Sequence, residues 1–201
     1  MKLADFLPYI LPRAKGCPEI AALFNARLAI IELCSKALIW REYQDPQMTY
    51  GNITSYEWDV DASQQVCLLL GLKLDGIEVD IVDPATGKAR DSNGWLSNYA
   101  YGTFTGFELH PAQASGLKIV TYCALAPSIT ADVVPDALGQ YAEAIATGTL
   151  SRLMKSKDKD YSDPNGALLA LSEWNAAIAD AKADAFKGFA RAKTRTSKVW
   201  F

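Results

Sequence analysis

The 201-residue sequence predicts an α+β fold: a three-helix bundle, one N-terminal and two C-terminal helices, with an inserted small antiparallel β module and an extended C-terminal arm. Three observations lead there. A long stretch with helical apolar spacing follows Pro18, and two more follow Pro135 and Pro164. Between them lie short β-branched and aromatic runs punctuated by Gly, Asn and Asp. The predicted division is 1–44 and 127–186 for the helical bundle, 45–126 for the β module and 187–201 for the arm.

Taken in order, Leu3 to Leu11 suits a short helical segment limited by Pro8 and Pro12. Gly16-Cys17-Pro18-Glu19 then starts a strong helix, because Pro lacks the amide that a first turn leaves unpaired and Glu complements the dipole. That helix is expected to reach Trp40, packing on Ile20, Leu23, Phe24, Leu28, Ile31, Cys34 and Leu38. In the middle segment, Asp75-Gly76 is the strongest hairpin signal, joining Leu70–Leu74 to Ile77–Val82. Pro84 to Gly94 reads as a loop, followed by Trp95, Tyr99, Tyr101 and Phe104 interleaved with Gly and Asn. Phe107–Leu109 and Leu117–Leu125 complete the β set, with Ala114-Ser115-Gly116 as their turn. Helix resumes at Asp136, where Gly139 and Gly148 each cost about 1 kcal/mol against Ala, which close helix approach would offset. Asp158 to Asp163 reads as a charged turn, and Asp163-Pro164 caps a last helix through Leu168, Leu171, Trp174, Ile178 and Phe186.

Half of the residues are hydrophobic and 21% are charged, ordinary values for a chain that buries a core. The net charge of −3 is unevenly spread: residues 45–127 hold 10 acids against 4 bases, and both flanks are slightly positive. An acidic middle argues against a general nucleic-acid binder, which needs a basic face outside a tail. No run suits a membrane span, and the N-terminus lacks the order of a signal peptide. Cys17, Cys34, Cys67 and Cys123 show no CxxC pairing and read as reduced thiols of a protein made in cytoplasm.

The candidate chemistry is thin. Thr86-Gly87-Lys88-Ala89 resembles the end of a phosphate loop, but Val82 stands where its first glycine belongs and Ala89 where it needs Ser or Thr. Asp158, Asp160 and Asp163 mimic part of a calcium loop whose bidentate Glu is replaced by Leu169. Glu78 with Asp80, and Asp59 with Asp61, place paired carboxylates on strand faces, where solvation competes with acid–base work. His110, the single histidine, precedes Pro111 in a loop-like stretch and offers no cluster of its kind. The expectation is a protein that is not an enzyme and uses neither cofactor nor metal. The aromatics from Trp95 to Phe104 suit a β core or a subunit contact; Trp95, Tyr99 and Tyr101 are the candidates for the latter.

The most informative segment is the last. After Asp184 come only bases: Lys187, Arg191, Lys193, Arg195 and Lys198, before Val199-Trp200-Phe201. Arg191, Lys193 and Arg195 alternate with a two-residue period, which suits an extended strand. Two aromatic anchors and a row of cations fit a pocket with an acidic rim on another protein. The alternative is a terminus folded back on its own domain.

Leu3 to Pro12 with Cys17-Pro18, the helix ending Leu38-Ile39-Trp40, the run Asp136 to Ala146, Tyr161-Ser162-Asp163-Pro164 and Gly188 to Lys193 together resemble the head–tail connector (portal adaptor) proteins of tailed bacteriophages. The resemblance covers nearly the whole chain. It implies a structural adaptor: a homo-oligomeric ring, usually of twelve subunits, beneath the portal, extending the DNA channel and giving the tail its platform. It implies a helical bundle with a β insertion, and a C-terminal arm that reaches the portal. Arg191, Lys193, Arg195, Lys198, Val199, Trp200 and Phe201 would carry that contact. Implied partners are the portal and a downstream tail or nozzle protein, with packaged DNA passing unbound and no membrane. The implied location is the virion, at the head–tail interface, after assembly in the host cytoplasm. The alternatives are a stopper or tail-completion protein, and a DNA-binding module using the basic tail.

Overall fold

The structure, a computed structural model, describes residues 1–83, 98–157 and 159–187. It is a mixed α/β fold dominated by a large curled sheet with four helices, which corrects the expected helical bundle with a small β module. The chain divides into two compact units, one of Met1–Ile39 with the chain from Ala131 onward, the other of Trp40–Thr130.

The helical unit opens with a 3₁₀ turn, Leu3–Phe6, that runs into α1, Leu7–Ile10. Leu3, Phe6 and Ile10 point into the core. Helix α2 spans Glu19–Ala37 and stops because Leu38 takes a left-handed conformation, φ 53°. Its amide still bonds the Cys34 carbonyl at 2.9 Å. Pro18 lies one position earlier than expected, as the residue before the first helical turn.

The packed side of α2 also differs from expectation: it is Ala22, Ala26, Ala29, Ile30, Leu33, Cys34 and Ala37. Ile20 is 82% exposed and Phe24 is 48% exposed. Small side chains win the inner side because they let neighbouring helices approach, while larger apolar residues one third of a turn away stay outside. A 3₁₀ turn, Asp136–Tyr141, leads into α3, Ala142–Leu153. Helix α4, Pro164–Lys187, is capped by Asp163, whose carboxylate accepts the Gly166 amide at 3.0 Å.

Helix α4 buries Ala167, Ala170, Trp174, Ile178 and Ala181, not Leu168 or Phe186. Gly148 explains how α3 meets it: a Cβ there would lie 2.7 Å from the Trp174 ring. The Trp174 indole donates to Glu32 at 3.0 Å, and Arg152 reaches the same carboxylate oxygen at 2.6 Å. Glu32 thereby joins α2, α3 and α4. Its burial disfavours charge, but the bonds from Lys36 and Trp174 and the nearby Arg152 outweigh it and lower its pKa.

The other unit holds β1 (Arg41–Tyr43), β2 (Gln47–Met48), β3 (Ser55–Glu57), β4 (Gln64–Leu74), β5 (Ile77–Ile81), β6 (Tyr99–Gly102), β7 (Gly106–His110) and β8 (Lys118–Pro127). Their order is β1-β8-β4-β5-β6-β7-β3, with β2 also on β8. Strands β4 and β8 form the long central pair, and two register shifts in β4 bend it. Asp75 and Gly76 both take positive φ, 48° and 83°, as a tight two-residue hairpin requires. The sheet is not wholly antiparallel, because β5 and β6 run parallel. The long connection from Val82 to Asn98 permits that, where a tight turn would force reversal. Strands β1 and β2 are too short to show alternation, so only their pairing with β8 makes them strands.

Candidate functional site

The pleat sorts the second half of the sheet into an inner apolar face and an outer polar one. Val79, Ala100, Phe107, Leu109 and Tyr56 alternate inward and are buried. Their sequence neighbours Glu78, Asp80, Tyr99, Tyr101, Glu108 and His110 therefore share the outer face. Register sets Asp80 beside Tyr99, Tyr99 opposite His110, and Tyr101 opposite Glu108.

These outer residues form a connected cluster. The His110 ring stacks on Tyr99, with centroids 5.2 Å apart, and on Tyr101 at 5.8 Å. Tyr101 donates its hydroxyl proton to Glu108 Oε2 at 2.5 Å, and His110 Nε2 lies 2.9 Å from the same oxygen. The hydrogen bond from Tyr101, then that from His110, lowers the pKa of Glu108. The reciprocal effect, led by the bond to Glu108, raises that of Tyr101. His110 thus ends strand β7 and is not the loop residue expected from Pro111. Tyr99 and Tyr101 are half-buried on this face, and the structure brings them together.

Next to the cluster is a hollow of about 380 Å³ lined by Tyr43, Lys73, Glu78, Asp80, Ile81 and Tyr122, among others. Tyr43 stacks on Tyr122 with centroids 4.7 Å apart. Glu78 and Asp80 do share one exposed strand face, whereas Asp59 and Asp61 follow β3 in a non-strand stretch. These two join Glu42 and Asp45 around a polar hollow of about 240 Å³. A larger apolar hollow, about 690 Å³, is lined by Trp58, Leu68, Leu69, Ile81 and Phe104, with Phe104 fully exposed at its rim.

Such a face presents tyrosine rings beside carboxylates, with Lys73 opposite Glu78 and His110 bonded to Glu108, and rings with carboxylates can hold cationic side chains by stacking and ion pairing. Among the described residues there is no group of three or more His, Cys, Asp or Glu placed to hold a metal. Among the same residues no helix is long and apolar enough to cross a membrane. Cys17, Cys34 and Cys123 are buried thiols and Cys67 is half-buried.

Trp95 and the Thr86–Ala89 stretch lie outside the described residues, as does Asp158. So do Arg191, Lys193, Arg195, Lys198, Val199, Trp200 and Phe201, the whole expected portal contact. Sequence reading did not group Glu108 and His110 with the two tyrosines. The available signal was the matched two-residue spacing of Tyr99/Tyr101 and Glu108/His110, which becomes a cluster once β6 and β7 pair. No protein-family model and no curated protein matches this chain.

Proposed function

We propose that this chain is a structural adaptor of a tailed bacteriophage, a ring subunit that binds beneath the portal, extends the DNA channel and supports the tail. Two lines support the reading. The segments resembling head–tail connectors are spread along the sequence from Leu3 to Lys193, and of their residues only Trp40 belongs to the sheet unit. The observation that carries it is the large apolar surface left outward on α2 and α4: Ile20, Phe24, Leu168, Leu169 and Phe186 are all exposed. Soluble monomers rarely leave such residues grouped on helix faces, whereas subunits of an assembly cover them.

The other surfaces suit the same role. The tyrosine–carboxylate face of the sheet offers a place for cationic side chains of a neighbour or of the tail-side protein. Its acidic character would also repel DNA passing nearby. The C-terminal arm, with alternating cations and terminal aromatics, is the segment we assign to the portal.

Binding to the portal of the same phage tests this. Full-length chain should co-sediment with portal rings, and deletion of residues 187–201 should abolish it while circular dichroism stays unchanged. A deletion that leaves binding intact overturns the assignment of the arm. Failure of the full-length chain to bind overturns the adaptor reading.

A further inference from the structure

We propose that the polar hollow between β1 and the start of β4 is a binding site for a guanidinium cation, the head group of arginine and of free alkylguanidines. The proposal concerns the sheet unit alone and does not depend on the adaptor reading.

The hollow, about 240 Å³, is bordered by Glu42, Asp45, Asp59 and Asp61 together with Gln44 and Gln64. At about 30 Å³ per water it has room for a planar ion of a few heavy atoms. No Lys, Arg or His borders it. Glu42 accepts the Trp40 indole proton at 2.7 Å. Among the described residues, the carboxylates of Asp45, Asp59 and Asp61 have no ion-pair partner. Exposed acids alone would simply be solvated.

Gln44 makes the difference. It is only 9% exposed, and its backbone amide bonds the Thr121 carbonyl at 2.9 Å, which holds it against β8. Its side-chain amide has no hydrogen-bond partner among the described residues. Among the same residues, every fully enclosed side-chain polar atom does have one. The Gln44 amide therefore opens onto free space, and the space it borders is this hollow. A polar group buried to that degree needs a donor or acceptor from outside the chain's own fold.

Chemistry selects the cation. These carboxylates are not gathered closely enough to hold one metal ion. A guanidinium spreads several N–H donors over a plane and serves separate acceptors at once, here carboxylates and the Gln44 amide oxygen. A compact, strongly hydrated ammonium matches such spread acceptors less well. Tyr43, whose ring stacks on Tyr122, also borders the hollow and gives the cation an aromatic neighbour.

An NMR titration of the isotope-labelled full-length chain decides it. Ethylguanidinium chloride is the probe, and tetramethylammonium chloride at matched ionic strength is the control with equal charge and no N–H donor. Saturable shifts confined to amides of residues 42–45 and 59–64 are expected with the probe alone. Asp59→Asn combined with Asp61→Asn should weaken binding about tenfold, and so should Gln44→Leu, whereas Asp80→Asn elsewhere on the sheet should not. If Gln44→Leu fails to fold, the two aspartate variants carry the comparison. A full-length chain with Arg191→Gln and Arg195→Gln separates the two sources of guanidinium. Several-fold tighter probe binding to that variant identifies the chain's own basic arm as the occupant; equal binding identifies a guanidinium from outside the chain, and either supports the site. Equal shifts with both salts, indifference to the Asp59 and Asp61 substitutions, or no saturable binding to either chain overturns the proposal.

Discussion

Glu32 is the residue on which the helical unit depends most for polar contacts. It accepts from Arg152 and Trp174 across helices and from Lys36 one turn away. Because its pKa is lowered on folding, its contribution is fully present above its ordinary value near 4.5 and is lost as pH falls through the lowered value. Glu32→Gln should therefore destabilise the protein by about 1–3 kcal/mol at neutral pH. It should also flatten the acid limb of a stability–pH curve measured by chemical denaturation. Equal acid limbs in the two proteins would contradict that assignment. On the sheet, Tyr101→Phe removes the leading cause of Glu108's lowered pKa, so the Glu108 carboxyl should titrate higher in an NMR pH series. Tyr101 has the opposite linkage: its raised pKa contributes below about pH 10 and is lost as pH rises through the raised value.

At the scale of elements, close approach sets the tolerances. A Cβ on Gly106 would lie 1.9 Å from the Tyr56 carbonyl oxygen, so β3 and β7 pair only because that position has no side chain. Gly106→Ala should cost about 3 kcal/mol, read as a lower thermal midpoint. Gly148→Ala is gentler in principle: alanine favours helix by about 1 kcal/mol, but overpacking against Trp174 costs about 1–3 kcal/mol. The expected net effect is loss of stability, and a gain would mean that Trp174 can shift. The glycine in α3 and the Asp75-Gly76 hairpin were legible because Gly and Asp-Gly carry local backbone signals. The packed face of α2 was not, since a helix with Ile, Leu and Phe on one side and Ala, Ile and Leu on the other has two apolar stripes. Periodicity names both and selects neither. Strands β1 and β2 were hidden for another reason, namely that two or three residues hold no pattern until β8 supplies partners.

For the whole molecule, the sequence carried both helical and β texture but led to an expected sheet much smaller than the one observed. Pairing between residues far apart, such as Tyr43 with Tyr122, has no local signature. The tyrosine–carboxylate face was half legible: Tyr99 and Tyr101 stood out as aromatics suited to a β core or a subunit contact, while Glu108 and His110 gained meaning only from register. Under the proposed adaptor function, the outward apolar helices and the acidic aromatic sheet face would be surfaces for other chains. Imaging of intact virions at a resolution that shows helices tests it most directly. The account expects both units of this chain, repeated around the channel axis, in the layer immediately beneath the portal. Density in that layer that cannot accommodate the eight-stranded sheet and the α2–α3–α4 unit, or virions lacking this chain, would contradict it.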